Sequence, residues 1–351
     1  MNVDLSILIV TYNNLDIAQQ CIESIIANIG QIDFEIIVID NSNDQTIKSL
    51  NDSLKLDEKF VYYHMGYNSG FGRANNQGIK LAKGEYILFL NSDIIIQQKD
   101  TFLSLYQAAV STNQSKKTIV GCHLTNEDGS FQKSMRLSFH GLREELWRNP
   151  LYIKFVQKLF KKNYKKLYNE KENQAHYTTG FVTWINAAFL MMNRKSILEN
   201  NLLFDEDFFL YGEDMEFAWR ANKLGFKYYH WSKKGVTHIG SASSANPLIK
   251  RCQVIVSDWL FIKKTRGKIY LALLILLVKF NINIDILLSK IAKIRKKEIH
   301  DNIQKEMDFK PIYKYLLKKY GFKILIKNKL SSDKQFYTNC YEDPFLNEKT
   351  K

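Results

Sequence analysis

Residues 86–90, Tyr86-Ile87-Leu88-Phe89-Leu90, form an unbroken apolar run, opened by Gly84 and closed by Asn91-Ser92-Asp93. The run is too short for an ordinary helix and lacks the alternation of a half-exposed strand. It reads as a strand buried on both faces of a parallel sheet. That restricts the chain to α/β architectures in which helices cover both sides of the sheet. Ligands of such sheets bind beyond the carboxyl ends of the strands, so Asp93 faces the expected pocket. Turn chemistry also favours an Asn91-Ser92-Asp93 strand end, so this stretch alone leaves a metal-binding and a turn-forming reading open.

The first hundred residues repeat the same grammar. Residues 5–10 make a first strand ending in Thr11-Tyr12-Asn13-Asn14, and then the period changes. Ile17, Cys21, Ile22, Ile25 and Ile26 fall on one helical face. A second strand, residues 34–39, stops at Asp40-Asn41-Ser42, and Asp44 is placed to cap a helix through Leu54. Residues 61–64 form a weaker third strand, followed by a glycine-containing turn, residues 68–78, into a helix ending near Lys83. This strand–helix alternation predicts a parallel sheet with helices on its faces. Gly70-Phe71-Gly72 invites a dinucleotide-binding reading, but Asn75 stands where the third glycine belongs and the turn follows the third strand, not the first. A nucleotide lying across the strand ends at Thr11, Asp40 and Asp93 fits better.

Further on, residues 119–122 read as a strand and 126–129 as a hairpin turn. Residues 182–192 form another largely apolar run, whereas residues 142–168 are aromatic and basic with no strand pattern. The second chemical stretch is Phe204-Asp205-Glu206-Asp207-Phe208-Phe209-Leu210-Tyr211-Gly212-Glu213-Asp214, acids and aromatics interleaved ahead of the helical set Phe217, Ala218 and Leu224. Glu213 and Asp214 therefore sit at a helix N-terminus, where acids interact well with the dipole. They also suit a general base in a partly apolar pocket. His238 follows a short strand and has two readings, a ligand or an ordinary loop histidine.

The chain is globular in composition, 45% apolar and 25% charged, yet carries a net charge of +14. The excess lies in residues 154–171 and 263–329 and implies an anionic partner. No nucleic-acid motif accompanies it, and the basic residues track an apolar segment, so nucleic acid is not expected. Cys21, Cys122, Cys252 and Cys340 are too scattered for a zinc site or a disulfide framework, which predicts reduced thiols. The opening residues do not read as a secretory leader. Residues 271–278 are wholly apolar, but Lys279, Asn281, Asn283 and Asp285 interrupt them, well short of the about 20 residues of a membrane span. With Lys290, Lys293, Arg295, Lys296 and Lys297 following, the segment reads as a surface-lying amphipathic element on an anionic membrane. A helical pair packed on the preceding domain, with a solvated basic face, is the alternative.

Together these pieces resemble the family 2 glycosyltransferases of the GT-A fold, in particular their bacterial rhamnosyltransferase-like branch. The resemblance rests on Val10-Thr11-Tyr12-Asn13, Val38-Ile39-Asp40-Asn41-Ser42, Asn68-x-Gly70-Phe71-Gly72-x-Ala74-x-Asn76-x-Gly78, Asn91-Ser92-Asp93, the acid and aromatic block ending at Asp214, and His238. It implies an α/β GT-A fold with a mostly parallel central sheet flanked by helices, followed by a helical basic extension. The division would be a catalytic domain over 1–245, an extension over 246–330 and a poorly ordered tail over 331–351. The implied activity is an inverting transfer of a sugar, rhamnose by this resemblance, from a dTDP- or UDP-linked donor to a saccharide acceptor, in bacterial surface polysaccharide synthesis. A lipid-linked acceptor and a cytoplasmic location at the inner face of the membrane go with it. A non-catalytic scaffold or saccharide-binding protein on the same fold is the alternative, which loss of Asp93 or Asp214 would have favoured.

By the same resemblance, Asp214 is the catalytic base, and Asp93 with His238 binds Mg²⁺ or Mn²⁺ bridging the donor diphosphate. Asn91 replaces the first acid of the family's Asp-x-Asp motif, leaving one carboxylate there. Thr11, Tyr12, Asn13, Asp40, Asn68, Gly72, Asn76, Asn91, Ser92, Trp184 and Glu213 would line the nucleotide-sugar site, with Asp40 facing the base. Trp184 and Tyr211 are candidates to stack on sugar rings, or are core aromatics.

Overall fold

A computed structural model of the chain describes residues 3–42, 58–111, 116–147, 149–160, 164–233, 235–240, 246–294, 301–326 and 339–349. The helix expected after Asp44 lies outside these residues. The chain divides into two compact units, Met1–Phe139 with Glu172–Ala245, and His140–Lys171 with Asn246–Lys351.

The first unit opens β1 (Leu5–Thr11), α1 (Leu15–Asn28), β2 (Phe34–Asp40), β3 (Phe60–His64), α2 (Phe71–Leu81) and β4 (Tyr86–Asn91). Next come β5 (Ile94–Ile96), α3 (Asp100–Ser111), β6 (Thr118–Cys122), β7 (Leu124–Thr125), β8 (Phe131–Gln132) and β9 (Met135–Arg136). Three helices follow: α4 (Leu142–Leu146), α5 (Pro150–Phe160) and α6 (Tyr164–Ala175). The chain then makes β10 (Gly180–Val182), β11 (Trp184–Ile185), β12 (Phe189–Asn193), α7 (Arg194–Glu199), α8 (Glu213–Lys223), β13 (Lys227–Trp231) and β14 (Val236–His238).

An eight-stranded sheet runs β10-β13-β6-β12-β4-β1-β2-β3. Neighbours from β4 to β3 are parallel, as are β6 and β13, while β12 and β10 run antiparallel to theirs. This is the mostly parallel, helix-flanked sheet that the sequence implied.

The unbroken apolar strands have a direct cause. Side chains alternate between faces along a strand. Ile7, Ile9, Ile36, Val38, Leu88 and Leu90 enter one core with Cys21, Ile22 and Ile25 of α1. Leu8, Ile37, Ile39, Ile87 and Phe89 enter a second core with Ala74 and Ile79 of α2 and Phe217 and Ala218 of α8. Both faces are covered, so before their carboxyl ends these strands are apolar except at Ser6 and Glu35, which bond each other. Gly84 opens β4 because a Cβ there would sit 2.5 Å from the Ser6 nitrogen. Its N–H instead donates to Ser6 Oγ at 2.7 Å, and that hydroxyl donates to the buried Glu35 at 2.6 Å.

The run 182–192 is not one strand. Thr183 and Asn186 bond across to Leu137 and Ser134, so the chain leaves the main sheet as β11, which pairs with β9, and rejoins it as β12. The 126–129 turn closes the β7–β8 hairpin as expected, with the Asn126 N–H on the Ser130 carbonyl at 2.8 Å.

In the second unit, α9 (Pro247–Arg266), α10 (Lys268–Ile294) and α11 (Asp301–Leu316) assemble with α4 and α5. Residues 140–171 thus belong with the C-terminal helices and not with the sheet domain the sequence placed them in, because Asn281 of α10 bonds both Asn149 and the Glu145 carbonyl. The tail also departs from expectation. Asp343 is buried and accepts bonds from Tyr315, Lys319 and Tyr320, Leu346 is buried, and the Cys340 N–H donates to Gln253, so 339–349 is packed. Two tyrosines and one lysine hold this acid, which a composition reading of the tail misses. All four cysteines are free and buried. Among the described residues no helix is long and apolar enough to cross a membrane.

Candidate active site

Strands β2, β1 and β4 end side by side. The register sets Thr11 opposite Asp40 and Val10 opposite Asn91, so the three predicted strand-end positions line one edge of the sheet. Thr11 is buried and its Oγ1 has no hydrogen-bond partner. A buried hydroxyl left unpaired is costly and marks where a polar ligand atom would be accepted. Tyr12 is 40% exposed beside it. Asn13 takes a left-handed φ of 49° and gives its N–H to Ser42 Oγ at 2.7 Å, which ties the ends of β1 and β2 together.

Asp40, expected to face the base, is held by its own neighbours. It is fully buried, and its two carboxylate oxygens accept from the Ser42 N–H and the Tyr62 hydroxyl, both at 2.8 Å. Its work is to hold the β2 end in shape. Burial and this carboxylate push the Tyr62 phenol up.

The two most specific motifs of the sequence prove to be two halves of one clamp. Asn41 donates to the Gly70 carbonyl at 3.0 Å and accepts from Ser69, while Asn68 accepts from the Gly70 N–H at 3.2 Å. At Gly70, φ is +80° and a Cβ would lie 2.2 Å from the Phe209 carbonyl oxygen, which accepts the Phe71 N–H. A Cβ on Gly72 would lie 3.0 Å from Phe204 Cβ. Asn76 bonds both backbone groups of Phe204, at 2.9 and 2.8 Å. Gly72 and Asn76 are therefore taken up in docking residues 204–209.

Asp93 and His238 meet because β5 pairs with β14 in a small second sheet. His238 Nε2 lies 3.1 Å from Asp93 Oδ1 and 3.3 Å from Asn91 Nδ2, and Asp93 Oδ2 accepts the Gly240 N–H. A chain of bonds fixes the imidazole. Asn126 gives its amide hydrogens to Ser130 Oγ and the Phe131 carbonyl, so its Oδ1 must accept, from Gln132 Nε2 at 2.8 Å. Gln132 Oε1 must then accept the proton of His238 Nδ1, at 2.5 Å. That leaves Nε2 as the ring atom turned to Asp93, so carboxylate oxygen and imidazole nitrogen converge on one point. This donor pair suits a divalent cation that accepts oxygen and imidazole. Among the described residues no three His, Cys, Asp or Glu side chains gather as a metal cluster. A cation here would complete its shell with diphosphate oxygens and water, as Mg²⁺ commonly does. Gln132 and Asn126 gave no sequence signal as site residues, since the histidine they orient lies on β14, 106 residues beyond Gln132.

Glu213 and Asp214 begin α8 after two left-handed residues, Tyr211 (φ 63°) and Gly212 (φ 82°). Burial pushes the Asp214 carboxyl up, against the N–H groups of Met215 and Ala187 and the charge of Arg136. Burial and the Asp214 charge push Glu213 up as well, and Glu213 Oε2 has no hydrogen-bond partner. The Asn91 N–H donates to the Ala188 carbonyl at 3.0 Å. Asp214 and Asn91 therefore flank the two-residue step 187–188, and the base candidate and the metal pair share one end of the sheet. Ser92 follows Asn91 there, half-buried. Arg136, missed by the sequence reading, reaches this corner because β9 pairs with β11. Trp184 gives its indole N–H to the Ser138 carbonyl at 3.0 Å and stacks on Phe139 at 6.2 Å, which makes it a wall aromatic.

A family model described as Glycosyl transferase family 2 matches residues 6–198. The poly(ribitol-phosphate) beta-glucosyltransferase of Bacillus spizizenii is 40% identical over 92 residues, 25% of this chain and 14% of that protein. The GalNAc(5)-diNAcBac-PP-undecaprenol beta-1,3-glucosyltransferase of Campylobacter jejuni is 28% identical over 193 residues, 52% of this chain and 59% of that one. The chain thus spans less than two thirds of the length of either relative. Among solved structures, residues 1–349 of S. aureus TarS, alone and with UDP, cover 75% of this chain and 66% of theirs at 18% identity, with TM-scores of 0.45 and 0.47.

Proposed function

Because the chain belongs to glycosyl transferase family 2, we propose that it is an inverting, divalent-metal-dependent transferase that moves a sugar from a nucleotide-diphosphate donor to a saccharide acceptor. One observation carries this reading: a carboxylate with a raised pKa, Asp214, and the Asp93–His238 pair flank the same step at the carboxyl end of the sheet. Thr11, Tyr12 and Asn13 line the neighbouring strand end, where the nucleotide would lie. Asp214 would take the acceptor hydroxyl proton as that oxygen attacks the anomeric carbon, and the diphosphate leaves from the opposite face, which inverts the configuration. A Mg²⁺ or Mn²⁺ ion held by Asp93 and His238 would offset charge on the leaving diphosphate. Burial and the Asp214 charge push Glu213 up, so Asp214 would be the first of the two to ionise.

The process we propose is bacterial surface polysaccharide synthesis. The donor is dTDP-rhamnose, by resemblance to the rhamnosyltransferase-like branch, or a UDP-hexose, in keeping with the glucosyltransferase names of the relatives. The Campylobacter relative is named for an undecaprenol-linked acceptor, and a lipid-linked acceptor here would place the enzyme on the inner face of the cell membrane. The test is nucleoside diphosphate release from a panel of nucleotide sugars with Mg²⁺ or Mn²⁺, with and without lipid-linked saccharide. Release with one donor, abolished by EDTA, supports the reading. Silence across the panel, with no donor binding by calorimetry, moves the protein to a scaffold role.

A further inference from the structure

The second unit leaves two apolar helix faces uncovered. In α10, Leu271, Leu274 and Ile282 are buried, yet Ile269, Leu273, Leu276, Phe280 and Leu287 remain 50–80% exposed. Steps of three, four and seven residues put these five on one face. An apolar helix face is normally covered. On α5, Leu151, Phe155 and Leu159 recur every fourth residue and are 46–63% exposed. The two helices belong to one unit, in which Asn149, next to the first residue of α5, donates to Asn281 Oδ1 of α10 at 2.7 Å.

Charge says what covers them. Between residues 150 and 160 the charged residues are Lys154 and Lys158, both exposed, and no acid is present. Between residues 268 and 294 they are Lys268, Lys279, Lys290 and Lys293, against one acid, Asp285. A second copy of the chain would set these cations against themselves. An anionic bilayer takes both features, with apolar side chains at the acyl boundary and lysines among the headgroups.

We propose that the outer faces of α5 and α10 together form the surface that lies on anionic lipid. This deepens the membrane location proposed above, with which it shares the lipid, and it adds the α5 segment, far from the C-terminal region in sequence.

Flotation of the full chain with phosphatidylcholine vesicles, with and without phosphatidylglycerol, tests it at low salt. The chain should float only with phosphatidylglycerol present. Lys154→Gln with Lys158→Gln, both at exposed positions, should weaken binding about 25-fold, about fivefold per lysine. Phe155→Ser with Leu159→Ser, or Leu276→Ser with Phe280→Ser, should abolish it, with melting curves read alongside. Equal flotation with both vesicles, flotation with neither, or an unchanged affinity in the α5 lysine variant overturns the proposal. A dimer that Leu276→Ser with Phe280→Ser converts to monomer, with no flotation, assigns the face to a second copy instead. Nucleoside diphosphate release by the lysine variant on a soluble acceptor reads the transferase separately, and should be unchanged.

Discussion

At the scale of single residues, Asp214 and Gln132 make the sharpest expectations. Asp214→Asn keeps shape and removes the base, so transfer should fall by about 10²–10⁴-fold. Donor affinity by calorimetry should stay near the parent value, and a variant that transfers at the parent rate would remove Asp214 from the mechanism. The raised Asp214 pKa has a defined sign for activity. The base works ionised, so the rate should fall as pH drops through a limb lying above the ordinary carboxylate range. The Asp214 charge pushes Glu213 up, so Glu213 is still neutral as Asp214 ionises, and Glu213→Gln should leave that limb in place in a pH–rate profile. Gln132→Leu removes the acceptor that holds the His238 proton on Nδ1. Nitrogen NMR of the metal-free protein should then show the proton redistributed to Nε2, and Mn²⁺ affinity should drop by about 10–100-fold, the usual cost of losing such a supporting bond. An Nδ1–H signal unchanged in Gln132→Leu would sink the assignment. Asp214 was legible from its place in an acid and aromatic block. Gln132 was not, because 106 residues separate it from the histidine it orients.

At the scale of elements, the turn into α2 and the segment 204–209 stand or fall together. Asn76→Ala strips both buried backbone groups of Phe204 of their partners, and each orphaned group costs about 1–3 kcal/mol. Denaturant melts should show the protein destabilised by about 2–6 kcal/mol, with donor affinity falling as well because 204–209 leads into Glu213 and Asp214. A stability change under about 0.5 kcal/mol, the size of an ordinary surface substitution, would show that the clamp is dispensable. The glycines at 70 and 72 were visible in the sequence as a distinctive pattern. Their reason was hidden, since a glycine required by a chain segment about 130 residues away looks the same as one required by a ligand.

At the scale of the whole molecule, acid should loosen the sheet unit through its buried histidines. His123, His176 and His230 pack together with ring centroids 6.1 and 6.5 Å apart, and the His176 carbonyl bonds both of the other rings. Burial and the neighbouring His230 lower His176 to about 3, and burial lowers His230 as well. Each is neutral in both states above an unfolded pKa of about 6.5, so neither costs stability there. Below it the unfolded chain binds the proton that the folded chain refuses, and stability falls by about 1.4 kcal/mol per pH unit for each such histidine. Thermal melts between pH 7 and pH 5 should therefore show a falling midpoint, and His176→Phe should flatten the slope. A midpoint independent of pH across that window would mean that the cluster already holds a proton in the folded state.

The sequence by itself determined the parallel sheet, its strand limits and the placing of Thr11, Asn91 and Asp93 at strand ends. Those features are local: two dry faces demand unbroken apolar runs, and a run must stop where the chain meets water or a ligand. It also located the acid pair that begins α8. Only the tertiary structure decided what stands opposite those residues. The pairing of β5 with β14 brings His238 to Asn91 and Asp93, an encounter between groups 147 residues apart. The β9–β11 pair brings Arg136 to the corner of Asp214, and Asn281 draws residues 140–171 into the helical unit. Such meetings depend on register and packing between distant segments, and no local periodicity encodes them.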